Sequence, residues 1–147
     1  MTQLLERALR LWCEPLPEGD AAVAAFRAVY SDPLDVNGES TALPVVVDRA
    51  RMLQGAFEGM RHHIKERFAA PGREAFAFQL TGRHVGPLET PLGAIAATGR
   101  ELTLDGMDIF VVDDEAQLVT GVWAIADLLD VLIQAGVELT PASGAMR

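Results

Sequence analysis

The chain has 147 residues, half of them hydrophobic and 22% charged, a composition that supports a packed core and argues against disorder. Its net charge is −9 and eleven of its twelve basic residues are scattered arginines, which argues against nucleic acid as a partner, because phosphate binding needs clustered cations. A single cysteine, Cys13, excludes an intrachain disulfide, and no segment reaches the ~18–20 consecutive apolar residues of a membrane span.

In chain order, Thr2 suits the N-cap of a first helix whose apolar face is Leu4, Leu5, Ala8, Leu9 and Trp12, ended by Pro15 and Pro17. A second helix is predicted over Ala21–Tyr30. The segment SDPLDVNG (Ser31–Gly38) follows, a short extended piece closed by a hairpin-type Asn-Gly turn. Pro44 opens a third helix to about Met60, with Val46, Val47, Ala50, Leu53, Phe57 and Met60 as its buried stripe. The period then changes to two. His62–Phe68, Ala75–Val85, Glu101–Val112 and Gln117–Ala126 read as strands, and Asp127–Ala135 as a last short helix. Helices followed by consecutive antiparallel strands give an α+β fold, a curved sheet wrapping a long helix into a cone with one open end. One domain is expected over 1–147, with a core at about 3–137 and a loose tail at 138–147. The charged start MTQLLERALRLW is no signal peptide, so a cytoplasmic location is expected.

Alternation along a strand sorts side chains onto two faces. Phe76, Phe78, Leu80, Gly82 and His84 share one face; Leu102, Leu104, Asp108 and Phe110 share another; His62 goes with Ile64 and Phe68; Val119, Trp123, Ile125 and Asp127 share a register. Three strands therefore each place one ionisable residue among apolar neighbours: His62, His84 and Asp108. A desolvated carboxyl must be paired, hydrogen-bonded or neutral, and beside a histidine it is acid–base machinery. Each could equally be satisfied locally, and two His with one Asp could describe a metal triad, although no short ligand spacing supports one. Tyr30, Phe57, Phe78 and Trp123 are candidate ligand-contacting aromatics or core. Asp127 is either a site residue or the N-cap of the last helix. Cys13 reads as a buried thiol without an obvious activating base. No phosphate loop or nucleophile elbow occurs.

The motifs GRHVGPL (Gly82–Leu88), Thr98-Gly99-Arg100, MDIF (Met107–Phe110) and WAIAD (Trp123–Asp127) with Gln134-Ala135-Gly136 occur in an order and spacing that resembles the SnoaL-like polyketide cyclases of the nuclear transport factor 2-like superfamily. The resemblance spans about residues 3–137. It implies a cone-shaped α+β barrel, a deep apolar pocket, a homodimer packed through the outer face of the sheet, and an aldol cyclisation run by acid–base residues without metal or cofactor. Aligned on Asp127 and Gln134, the position of the family's principal catalytic Asp is Ala124, or else Trp123, so that carboxylate is missing. A histidine found in relatives before this Trp is Val122. A cyclase histidine on the preceding strand is matched by Asp108, and His84 is retained.

Two functions emerge as expectations. One is a cofactor-free cyclase or isomerase for a small hydrophobic carbonyl-bearing substrate, or an epoxide hydrolase, with Asp108 as base and His84 or His62 as partner. The other is a dimeric module that binds a small apolar molecule without turnover. A pure dimerisation domain would instead show a cone plugged by Trp12, Phe57, Phe78 and Trp123.

Overall fold

The computed structural model describes residues 3–142 of the chain. Three helices come early: α1 (Gln3–Cys13), α2 (Asp20–Arg27) and α3 (Leu43–Ala56), with a hairpin of β1 (Tyr30–Val36) and β2 (Glu39–Thr41) between the second and third. Long strands β3 (Phe57–Ala70) and β4 (Arg73–His84) come next, then a small hairpin of β5 (Leu88–Thr90) and β6 (Gly93–Ile95). Strands β7 (Glu101–Asp113) and β8 (Leu118–Ala126) and helix α4 (Leu128–Gln134) complete the order. Among the described residues, no helix is long and apolar enough to cross a membrane.

The main sheet runs β2-β1-β8-β7-β4-β3. All its neighbours are antiparallel except β1 and β8, which pair in parallel, so the early extended piece inserts beside the last strand. The fold is α+β, a curved six-stranded sheet with its helices in the concavity. The helix stripes bury as their spacing predicts: Leu4, Leu5 and Ala8 of α1, Phe26 of α2, and Val46, Val47 and Ala50 of α3 pack against Phe76, Phe110 and Val119 of the sheet. A second core of Ala56, Leu88, Leu102, Val131 and Ala135 lies under the small hairpin and α4. That hairpin occupies the stretch between the two long strands β4 and β7, where periodicity marks no element. Gln134 docks α4 onto β7 by accepting from Thr103 N at 2.8 Å and donating to Thr103 O at 2.8 Å.

Some boundaries differ from the periodicity. The second helix stops at Arg27, and Tyr30 opens β1 instead. The third helix stops at Ala56, so Phe57 and Met60 belong to β3; the 3.6-residue stripe simply runs on into a strand whose apolar positions happen to coincide. Asn37-Gly38 does turn the β1–β2 hairpin, with φ of 52° and 86°, as a two-residue primed turn requires. Thr2 and residues 143–147 of the expected tail lie outside the described residues, and 137–142 carry no regular structure.

Besides a register shift between Glu58 and Arg61 near the start of β3, two β-bulges reset the faces further along. Lys65 is an extra residue of β3 between the pairs Ile64↔Phe78 and Glu66↔Ala77. Thr120 is an extra residue of β8 between Val111↔Gly121 and Val112↔Val119. Beyond the first, Phe68 leaves the face of His62 and is 74% exposed. Beyond the second, Trp123 and Ile125 part from buried Val119 and face outward, while Val122 and Ala124 turn inward.

Candidate active site

The concave side holds a cavity of about 270 Å³ between α1, α3 and the sheet. It is an open space, not a plugged cone, because Trp12 and Phe78 line it and do not fill it. Its floor comes from β7 and β8. Asp108 lies directly across from Phe76 on one side and from Ala124 on the other. The position that the family alignment left without a carboxylate therefore does face the cavity, beside Asp108, while Trp123 points away. Asn37 fixes this part of β8: its amide accepts from Ala124 N at 2.7 Å and donates to Ala124 O at 3.2 Å. Gly106, opposite Phe78, keeps the floor low. A Cβ there would sit 2.5 Å from the Phe78 ring, so any other residue would drive that ring into the space.

Asp108 is half-buried, and no hydrogen bond or ion pair from the described residues reaches its carboxylate. Burial alone pushes its pKa up to about 7, since loss of hydration penalises the charged form. Tyr30, buried at the start of β1, accepts from Trp12 Nε1–H at 3.0 Å. Its phenol is held well above the ordinary value, first by burial and then by the Asp108 charge, with the Trp12 bond opposing, so the O–H stays protonated. His62 enters the cavity from β3 with its ring edge-on to Phe78, and burial lowers its pKa.

Two partners escaped the sequence reading. Cys13, the last residue of α1, meets His62 Nδ1, so the thiol does have a basic neighbour, 49 residues away. The end of α1 is fixed by Gln54, whose amide donates to the free carbonyls of Leu11, Trp12 and Glu14. Burial, and next the charge of Glu14, raises the Cys13 pKa to about 11. The group is a thiol, able to donate to Nδ1, which leaves the ring proton of neutral His62 on Nε2. Arg49, exposed at the rim, also lines the cavity. It makes no ion pair among the described residues. Its signal was present in the sequence: Val46, Arg49 and Leu53 fall at i, i+3 and i+7 on one face of α3.

The structure does not bring His84 to this group. His84 pairs with Phe57 at the far end of β4, eight residues beyond Phe76, roughly 26 Å along the strand at 3.3 Å per residue. It is completely buried. Its Nδ1 lies 3.0 Å from Thr98 Oγ1 and accepts from Thr98 N at 3.3 Å, whereas Nε2 has no partner among the described residues. The sheet curves, but not enough to fold one strand end onto the other. Phe57 stacks obliquely on His84, 5.7 Å between centroids, and lines a different cavity. Trp123 is 53% exposed on the outer face. Asp127 caps α4, accepting from Asp130 N at 3.1 Å. Of the residues singled out in the sequence, Asp108, His62, Tyr30 and Phe78 share the cavity. His84, Phe57, Trp123 and Asp127 do not. Among the described residues no group of three or more His, Cys, Asp and Glu side chains is placed to hold a metal ion.

Residues 7–135 match the family model described as SnoaL-like polyketide cyclase. The chain belongs to that family. Solved structures with the same fold include TsrD from Streptomyces laurentii, at 22% identity and a TM-score of 0.74 over 92% of this chain and 94% of that one. A SnoaL-like polyketide cyclase from Agrobacterium tumefaciens aligns at 14% identity and a TM-score of 0.66, covering 91% and 98%. A protein of ketosteroid isomerase-like fold from Catenulispora acidiphila, in complex with trimethylamine, aligns at 13% and 0.69, covering 96% and 99%. At these identities the structures show the fold of this SnoaL-like chain and nothing finer. The chain matches no curated protein sequence.

Proposed function

We propose that this family member is a cofactor-free acid–base enzyme of the cyclase or isomerase type, which removes a proton α to a carbonyl of a small, largely apolar substrate. The observation that carries the reading is Asp108: a carboxyl open to an apolar cavity, without a hydrogen-bond partner among the described residues, and with a pKa of about 7. Near that pH a base is both available and strong enough to act. The carboxylate takes the α proton and becomes the acid, and the C–H electron pair moves to the carbonyl oxygen as an enolate. The Tyr30 hydroxyl is the donor for that oxygen, His62 lines the cavity further along, in the row of Leu80 and Leu104, and the Arg49 guanidinium adds positive charge at the rim. The enolate carbon then attacks a second carbonyl, or is reprotonated elsewhere by Asp108. The base stands one strand away from the family's usual position, where Ala124 leaves room for substrate.

The test is exchange of the α protons of 2-tetralone, a bicyclic ketone, in D2O by NMR. The protein should accelerate it, with a rate that rises as pH increases through about 7, because the ionised form of Asp108 is the base. Saturable binding of 2-tetralone with no acceleration at any pH would instead support the second reading, a ligand-binding module. Ala124, where the family carries a carboxylate, is the observation that favours that alternative.

The reading includes a homodimer through the outer face of the sheet. Trp123, Ile109, Ala75 and Phe68 form one row across β8, β7, β4 and β3, and Met107 pairs with Ile125 beside it. Met107, Ile109, Trp123 and Ile125 are between 42% and 79% exposed, an apolar patch that a second copy would cover. Trp123→Glu should convert a dimer to monomer in sedimentation, and a wild-type chain that sediments as a monomer removes the dimer from the proposal. A cytoplasmic location belongs to the same reading.

A further inference from the structure

A second cavity, of about 170 Å³, lies beyond the first under β5 and α4. Its walls include Phe57, Leu88, Leu102, Leu128 and Val131, drawn from β3, β5, β7 and α4, so it is a gap between cores and not a surface crease. It shares three wall residues with the first cavity: Leu53, Leu80 and Leu104. Leu80 and Leu104 are cross-strand partners on β4 and β7, and Leu53 reaches them from α3. The two spaces are therefore separated by three leucine side chains. Leu80 is buried, while Leu53 and Leu104 are only half-buried, and each has alternative staggered rotamers.

We propose that the two cavities are one elongated site, and that the second is the compartment for a hydrocarbon tail of the substrate. The class implied is a molecule with its reactive carbonyl end at Asp108 and an unbranched or flat apolar portion directed past Leu104. Leu104 precedes Asp108 by four residues on β7, roughly 13 Å at 3.3 Å per residue. A bicyclic ring system spans most of that distance, and a chain attached to its far end meets the leucines. The wall residues named above offer a polar extension nothing to bond to, so a tail with charged or hydroxyl groups suffers its full desolvation cost there. Glu89, exposed at the edge of the hairpin, is the one charged residue on that wall among the described residues, and it discriminates further against an anionic tail. The inference rests on Asp108 as the reacting end.

The experiment is a fluorescence titration with 6-alkoxy-2-acetylnaphthalenes, from methoxy to hexyloxy. The methoxy compound should bind in the first cavity alone. From propyloxy to hexyloxy each added methylene should tighten Kd by roughly threefold to fourfold as it leaves water. Val131→Phe, which fills the second cavity from α4, should flatten that series while changing the methoxy Kd less than about twofold. Leu104→Ala should make the gain begin at a shorter chain. Leu88→Phe plugs the same space from the opposite wall if Val131→Phe does not fold, and thermal unfolding of each variant identifies that case. A wild-type Kd that is flat from propyloxy to hexyloxy, with methoxy still bound, overturns the tail compartment and leaves the proposed active site standing. An unchanged slope in both plugged variants overturns it too, because the chain must then leave by the rim at Arg49. If no member of the series binds, the active-site reading and the tail compartment fall together.

Discussion

Strands β3 and β4 each carry a histidine on an apolar, inward face, and the two are put to opposite uses. At the sealed end, across from Phe57, His84 is completely buried and its Nδ1 is taken by Thr98. Toward the open end, across from Leu80 and four residues of β4 away, His62 stands at a cavity with Asp108 and Tyr30. Both lie within apolar walls, His84 fully enclosed and His62 half-buried. Their uses differ with where the remaining hydrogen-bonding capacity points. His84 gives its acceptor to a neighbouring loop, locking that loop over the strand end. The group around Asp108 leaves a carboxyl and a hydroxyl facing open space, at an energetic cost that a ligand relieves.

The largest expected effect breaks the open end. Asp108→Asn should lower the exchange rate of 2-tetralone about a thousandfold, roughly 4 kcal/mol at 1.36 kcal/mol per tenfold, with its binding little changed. The same variant then sharpens the contrast through pH. A carboxyl with a folded pKa of about 7 and an unfolded value near 3.9 binds more protons in the folded state between those limits. Stability conferred on the wild type therefore falls as pH rises from about 4 to about 7, and is flat outside that window. Relative to Asp108→Asn, the wild type should lose up to about 4 kcal/mol across it, so the variant is the more stable protein at pH 8. Urea denaturation of both proteins at pH 4.5 and pH 8 reads this directly. A difference of zero would mean that water or a rearranged side chain hydrates the carboxylate.

Next in size is the sealed end. His84→Ala removes a packed ring and the acceptor of Thr98 N, which should cost about 3 kcal/mol of stability by cavity and lost hydrogen bond together. Exchange of 2-tetralone below the melting transition should be unchanged. A variant that stays stable but loses exchange would return His84 to the active site and dissolve the distinction between the two ends.

How much of this the sequence revealed depended on whether the signal was local. The stripes of α1 and α3, the Asn37-Gly38 turn and the isolation of Asp108 among Leu104, Phe110 and their neighbours are periodic or adjacent features, and they were legible. The bulges at Lys65 and Thr120 were not, because one extra residue shifts every later side chain to the other face without altering the pattern's appearance. Unbroken alternation puts Trp123 inside on that account. Cys13 and His62 each stand out alone, but nothing in a spacing of 49 residues announces a contact. His84 failed for a different reason. Its strand and face were right, but Thr98, which satisfies it, arrives from a loop after an unforeseen hairpin. The inward face of a strand is not a single place when the strand has twelve residues.

The smallest effect concerns Tyr30, which joins the open end to the helices. Its oxygen accepts from Trp12, and its own proton is then free for a ligand in the cavity. Tyr30→Phe keeps the ring, with its stacking on Phe26 and edge contact with Phe110, and removes only the oxygen. The loss leaves Trp12 Nε1–H without its acceptor, at about 1 kcal/mol because Trp12 is only partly buried. If the hydroxyl also supports the enolate, exchange should fall about tenfold with no shift in the pH midpoint set by Asp108. A midpoint that moves up instead would show that Tyr30 acts on the base, since removing a donor to the carboxylate disfavours its ionisation. A downward move would report only polarity or water gained around Asp108. Loss of rate with a fixed midpoint therefore assigns the hydroxyl to the substrate. Loss of stability alone assigns it to Trp12, and makes this end as structural as the one held by His84.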